Sequence, residues 1–183
     1  MRQALARILL ISTLLSAGTN AGAEVIDSGP GGFSVRHQIA IKAPADTVWR
    51  MLVSHVGEWW HRDHTYSGSS ANLFIEPRAL GCFCERLGDE GAVVHMTVTF
   101  VNPGKMLRLT GGLGPLGLMG VDGNMTFSLS AGDGLTYVKL DYMVGGYSPD
   151  GLASIAPAVN QVLVEQLQRL RHFVENGVAA DIP

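Results

Sequence analysis

Six side chains in this sequence stand out as plausible zinc donors: His61, Asp63, His64, Cys82, Cys84 and His95. Imidazole, thiolate and carboxylate together make a zinc donor set. A mixed nitrogen–sulfur cluster comes within reach if the strand of His95 pairs with that of Cys82 and Cys84. No repeated Cys-x-x-Cys spacing accompanies them, so the signal is weak, and neither a metal nor a cofactor is expected. Cys82 and Cys84 lie two apart on one strand and share a face, with ~6.6 Å between Cα atoms, near the upper limit for a disulfide. Three states follow: buried unreacted thiols, a strained or redox-active bridge, or metal ligands.

Acid–base chemistry has a second candidate set in His95, Tyr142 and Asp141, assembled across strands rather than along the chain. Asp141 and Tyr142 face opposite sides of their strand, so at most one of them lines a given pocket. No Ser/His/Asp order and no paired-carboxylate spacing stands out, and Glu85, Arg86 and Arg108 read as surface ions. Residues 111–120 contain five glycines but no Gly-Lys-Ser/Thr. They read not as a phosphate loop but either as a plain mobile connection or as an apolar loop at a cavity mouth, with Leu113, Leu116, Leu118 and Met119 able to close over a ligand.

The element that must organise these residues is a helix over 154–176. At ~100° per residue, Ile155, Val159, Val162, Leu163, Leu167, Leu170, Phe173 and Val174 fall within one broad arc. Gln166 interrupts that arc. A buried amide left unpaired costs about 1–3 kcal/mol, so Gln166 needs a backbone partner, a water or a ligand. The sharper expectation is that the helix roofs a cavity, with Gln166, Val162, Leu170, Tyr142, His37, Met96, Leu113, Leu116 and Met119 as ligand-binding residues.

Upstream, residues 33–41 alternate in polarity and predict a half-buried strand, with His37 mid-face among apolar neighbours. Pro44 and Asp46 open a helix over 45–55 that turns Val48, Met51 and Leu52 inward. The aromatic stretch 57–68 predicts a loop or a short second helix, and Trp59-Trp60 closes one end of the core. Short strands are then expected at 72–76, 81–87, 92–100, 106–110, 124–130 and 135–144, joined by Gly-Asp-Glu-Gly and Gly-Asp-Gly turns. Val94, Met96, Val98 and Phe100 make one apolar face, leaving His95 with Thr97 and Thr99 on the other. The expected fold is α+β: a seven-stranded antiparallel sheet curved around the long C-terminal helix, with two short helices after the first strand.

Residues 1–23 read as a secretory signal peptide. Arg2 and Arg7 precede an apolar run that ends at Ala21-Gly22-Ala23, and the run is too short to span a bilayer. Residues 24–32, rich in Gly, Pro and Ser, read as a flexible lead-in, 33–176 as one domain and 177–183 as a tail. Of 13 basic residues, removing Arg2 and Arg7 leaves 11 against 16 acidic ones, a balance that argues against a nucleic-acid partner.

The stretch Ile41-Lys42-Ala43-Pro44-Ala45-Asp46-Thr47-Val48-Trp49, the Trp59-Trp60 pair, Leu80-Gly81 and the Val98…Asn102-Pro103-Gly104-Lys105-Met106-Leu107 turn together resemble the SRPBCC or START-like superfamily. The closest similarity is to its branch of heat-shock ATPase activator homologues and polyketide cyclase-like proteins. The resemblance covers nearly all of residues 24–183 and lies in framework positions. It implies the helix-grip fold and a cavity for a small hydrophobic or amphipathic molecule, with some members acting as cyclases, hydrolases or lipid carriers. The expected function is therefore binding of such a molecule between sheet and C-terminal helix in a periplasmic or secreted protein without a membrane span. The alternatives are a cyclase- or hydrolase-type enzyme in the same cavity, or a module that binds a partner protein through residues 59–66.

Overall fold

The computed structural model describes residues 24–178; the expected signal peptide, residues 1–23, and residues 179–183 of the expected tail lie outside the described residues. The chain forms one open sheet of eight antiparallel strands. They are β1 (Glu24–Gly29), β2 (Gly32–Ile41), β3 (Leu73–Ile75), β4 (Cys82–Leu87), β5 (Gly91–Asn102), β6 (Met106–Thr110), β7 (Gly120–Gly132) and β8 (Leu135–Tyr147). The spatial order is β1-β2-β8-β7-β6-β5-β4-β3. Among the described residues three α-helices accompany the sheet: α1 (Ala45–Ser54), α2 (Val56–Trp59) and α3 (Ala156–Asn176). None is long and apolar enough to cross a membrane.

The strand count corrects the sequence-based expectation of seven. The additional strand, β1, comes from the residues expected as a flexible lead-in, which pair with β2 across the Pro30-Gly31 turn. Ladder hydrogen bonds use the backbone alone, so a segment without a clean apolar alternation can still extend a sheet at its edge.

Alternation does its expected work in the centre of the sheet. Val35, Tyr142, Met125, Leu109 and Val98 are aligned across five strands, and all are fully buried. The hairpin joining β7 to β8 turns at Asp133 and Gly134, both with positive φ (51° and 75°), the backbone of a type I′ turn. Helix α3 lays Leu163, Leu167, Leu170 and Phe173 into the core that these strands share. It stops at Gly177, whose left-handed backbone (φ 78°) lets its N–H reach the carbonyl of Phe173.

Strand β5 departs from the alternation. Its register shifts opposite Phe83/Cys84, where His95 is the extra residue, and again between Val98 and Phe100. Each bulge moves the side-chain phase by one. As a result His95 is buried, while Val94 and Phe100 are 62% and 41% exposed, the reverse of the expected face assignment.

Candidate functional site

Helix α3 grips the end of α2 and the segment after it through three polar side chains, Glu165, Gln166 and Arg169. Arg169 donates from Nε to the carbonyl of Trp59 (3.0 Å), and Gln166 accepts the N–H of His61 on Oε1 (2.8 Å). Glu165 faces the His61 and His64 rings, with Oε2 3.1 Å from His64 Nε2. Gln166 is buried and is not among the residues that line the cavity; its Oε1 fastens the segment through a backbone bond, while its Nε2 has no hydrogen-bond partner among the described residues.

A cavity of about 390 Å³ opens beside this grip. Its roof is the first half of α3, Ile155 to Leu163, and its opposite rim is the loop carrying Leu113, Leu116 and Met119. Trp60, Phe83 and His95 complete the wall, together with residues 63–66. Of the expected ligand-binding residues, Val162, Leu113, Leu116 and Met119 line this space. His37, Met96, Tyr142 and Leu170 are buried elsewhere in the core and do not. The helical stripe is continuous, but beyond Leu163 its residues Leu167, Leu170 and Phe173 are buried in the core, and only its first half lines the cavity.

Tyr142 still shapes the cavity at one remove. Its hydroxyl donates to the carbonyl of Gly111 and accepts the N–H of Leu113, both at 3.1 Å, and so anchors the start of the glycine-rich loop. Gly123 makes room for the ring: a Cβ there would lie 2.7 Å from Cε2 of Tyr142. Burial, with a smaller contribution from the Asp122 charge, pushes the phenol up to about 12, against the opposing Leu113 hydrogen bond. It remains a neutral latch. Among the described residues neither ring nitrogen of His37 has a hydrogen-bond partner, and burial holds its pKa below the ordinary histidine value.

The polar feature of the cavity wall is His95 backed by Glu85. Glu85 is fully buried, a correction to its reading as a surface ion, and its carboxylate accepts from three donors. These are the N–H of Tyr66 (3.0 Å), the N–H of Ser67 (2.5 Å) and Nε2 of His95 (3.0 Å). Burial alone would raise the carboxyl pKa, but the bonds from Ser67, Tyr66 and His95 outweigh it and hold it below the ordinary range. An ionised carboxylate can only accept, so Nε2 of His95 carries the hydrogen and Nδ1 presents its lone pair. That Nδ1 is buried and has no partner among the described residues. Burial keeps the ring neutral by lowering its pKa, against the opposing pull of Glu85. Tyr66 stacks over the ring at 5.7 Å and Phe83 packs at 5.3 Å, which fixes its plane.

The zinc donor set weighed on the sequence is split in the structure. Cys82 and Cys84 form a disulfide with Cα atoms 5.4 Å apart. They are therefore neither free thiols nor metal ligands, and their Cα atoms lie closer than the ~6.6 Å of a regular strand. His95 pairs with Glu85, whereas His61 and His64 meet Glu165. Glu165 went unnoticed in the sequence because it sits at the edge of the helical stripe. Glu85 had one signal, its place two residues from Phe83 and thus on the same inward face.

No family model and no curated protein matches the chain. Solved structures do resemble it. A protein from Rhizobium leguminosarum aligns with a TM-score of 0.59 and 16% identity over 78% of this chain and 94% of its own. The Aha1 dimer from Colwellia psychrerythraea gives 0.53 and 18% over 79% and 97%. DynU16, from the dynemicin biosynthetic locus, gives 0.57 and 18% over 80% of this chain but 48% of its own, so the chain spans about half of DynU16. The likeness is one of fold, an antiparallel sheet with a C-terminal helix in the helix-grip manner.

Proposed function

We propose that the protein binds a small, mainly apolar molecule bearing one hydrogen-bond donor, a hydroxyl or an N–H, in the cavity beneath the first half of α3. The observation that carries this reading is the buried, unpaired Nδ1 of His95, a residue of the mostly apolar cavity wall. Apolar lining supplies burial, at roughly 25 cal/mol per Å², and a single oriented acceptor supplies direction. The resemblance to DynU16, from a biosynthetic locus, is in keeping with a small-molecule ligand.

Trp60 in the wall makes fluorescence titration a direct test. The probes are 1-naphthol and naphthalene, which differ by one hydroxyl. A hydrogen bond of ~1.4 kcal/mol predicts about tenfold tighter binding of 1-naphthol, and that preference disappears in His95→Phe. Equal affinity of the two probes for the wild type sinks the reading.

The Glu85–His95 arrangement favours one second reading, an enzyme of the cyclase or hydrolase type. A neutral imidazole oriented by a carboxylate is the geometry of a general base. In that case His95→Gln abolishes turnover while binding persists. The reading extends to an exported protein, periplasmic or secreted. It is supported by a disulfide of the kind that persists in oxidising compartments and by the signal-like layout of residues 1–23. Recovery of the chain from the extracytoplasmic fraction, beginning at residue 24, is the corresponding check.

A further inference from the structure

We infer that His61, His64 and Glu165 form a binding site for a divalent transition-metal ion of the zinc class, set at the rim of the cavity. This site does not depend on the ligand-binding reading. Two imidazoles and one carboxylate, all half-buried, offer donor atoms that lie within 4.8 Å of one another. Bound to one ion at about 2.0–2.2 Å each, the three would need only side-chain adjustments to converge. His64 Nε2 already lies 3.1 Å from Oε2 of Glu165, and His61 Nδ1 lies 3.7 Å from Oε1.

A second observation points to a ligand. Oε1 of Glu165 is buried and has no hydrogen-bond partner among the described residues. The atom it faces is no donor in this arrangement: His61 Nδ1 accepts the N–H of Asp63, at a long 3.4 Å. Two lone-pair atoms therefore confront each other, and a cation between them gives both a partner while displacing the weak Asp63 contact; ligation by His64 also replaces its Nε2 contact to Glu165, with the ring hydrogen on Nδ1. Asp63 adds a carboxylate oxygen 3.9 Å from the same nitrogen, a fourth donor within reach.

The scaffold holds these donors in place. Gln166 and Arg169, one and four residues along α3 from Glu165, bind the backbone at His61 and Trp59. Such outer contacts orient metal ligands. Imidazole nitrogens favour zinc, nickel, cobalt or copper over magnesium or calcium, which prefer all-oxygen sites. Because His64 also lines the cavity, an ion held by these residues would border the space where an organic ligand sits.

The test is calorimetric titration of chelator-treated full-length protein with zinc chloride, repeated with cobalt(II) to read its visible absorption. The expected result is one ion per chain, with affinity weakened at least tenfold in both His64→Ala and Glu165→Gln and unchanged in His55→Ala. Circular dichroism confirms that each variant is folded, and Glu165→Gln retains the side-chain shape. No binding by the wild type overturns the proposal, as does binding that survives in both site variants or falls equally in His55→Ala.

Discussion

Two glutamate–histidine contacts in this protein are almost the same length, 3.0 Å for Glu85 with His95 and 3.1 Å for Glu165 with His64. They differ in what else the carboxylate touches. Glu85 is fully buried and also holds the N–H groups of Tyr66 and Ser67, so its acceptor capacity serves the fold. Glu165 is about a fifth exposed, and one of its oxygens has no hydrogen-bond partner among the described residues. The same residue pair is a structural tie where the carboxylate is saturated and a candidate binding site where it is not.

The sharpest way to break that comparison is to delete each carboxylate. Glu85→Ala leaves two backbone donors and the neutral His95 ring without their acceptor, and each stranded buried donor costs about 1–3 kcal/mol. Urea unfolding reads this directly, and a loss under about 1 kcal/mol, the worth of an exposed pair, contradicts the structural role.

Next in size is Gln166→Leu. It strands the N–H of His61 and lowers stability by about 1–3 kcal/mol. If Gln166 acted on a ligand instead, stability would hold and only binding would suffer.

Tyr142→Phe loses the two loop contacts, for about 1–2 kcal/mol. Hydrogen exchange at Leu113 should speed up while the amides of β8 stay protected.

Acidification separates the groups by range. His95 and His37 both have lowered pKa values in the folded protein, so between 6.5 and their folded values the unfolded chain binds more protons and stability falls as pH falls. Glu85, also lowered, adds a further loss only when pH drops below its ordinary 4.5. Thermal midpoints measured between 6.5 and 4.5 should decline in the wild type and flatten in a His37→Phe/His95→Phe variant. A flat wild-type profile over that range contradicts the neutral, buried state of both rings.

The smallest effect completes the contrast: Glu165→Ala changes unfolding free energy by less than about 1 kcal/mol. A loss as large as that of Glu85→Ala would make the two contacts equivalent and remove the distinction.

Much of this architecture could be read from the residues alone. The two-residue alternation in β2, β7 and β8, the Asp133-Gly134 turn and the apolar stripe ending before Gly177 called for antiparallel strands and one long terminal helix, which is what forms. These signals are local: strand and helix geometry dictate which side chains share a face within a few residues. The loop residues Leu113, Leu116, Leu118 and Met119 were placed at a cavity mouth because the loop is apolar and glycine-rich; Leu113, Leu116 and Met119 line one, whereas Leu118 is exposed.

The site itself was decided elsewhere. Alternation puts His95 outward, and a bulge against β4 turns it in. Glu85 resembled a surface ion until the backbone of Tyr66 and Ser67 closed over it, and Cys82 and Cys84, for which three states were open, are bonded to each other. Gln166 announced that it needed a partner without naming one, because the amide of His61 lies 105 residues away along the chain. Side-chain periodicity thus settled which elements form and which faces they bury. The bulge positions and the partners of buried polar groups were settled only when distant segments met, since those depend on contacts that no local pattern encodes.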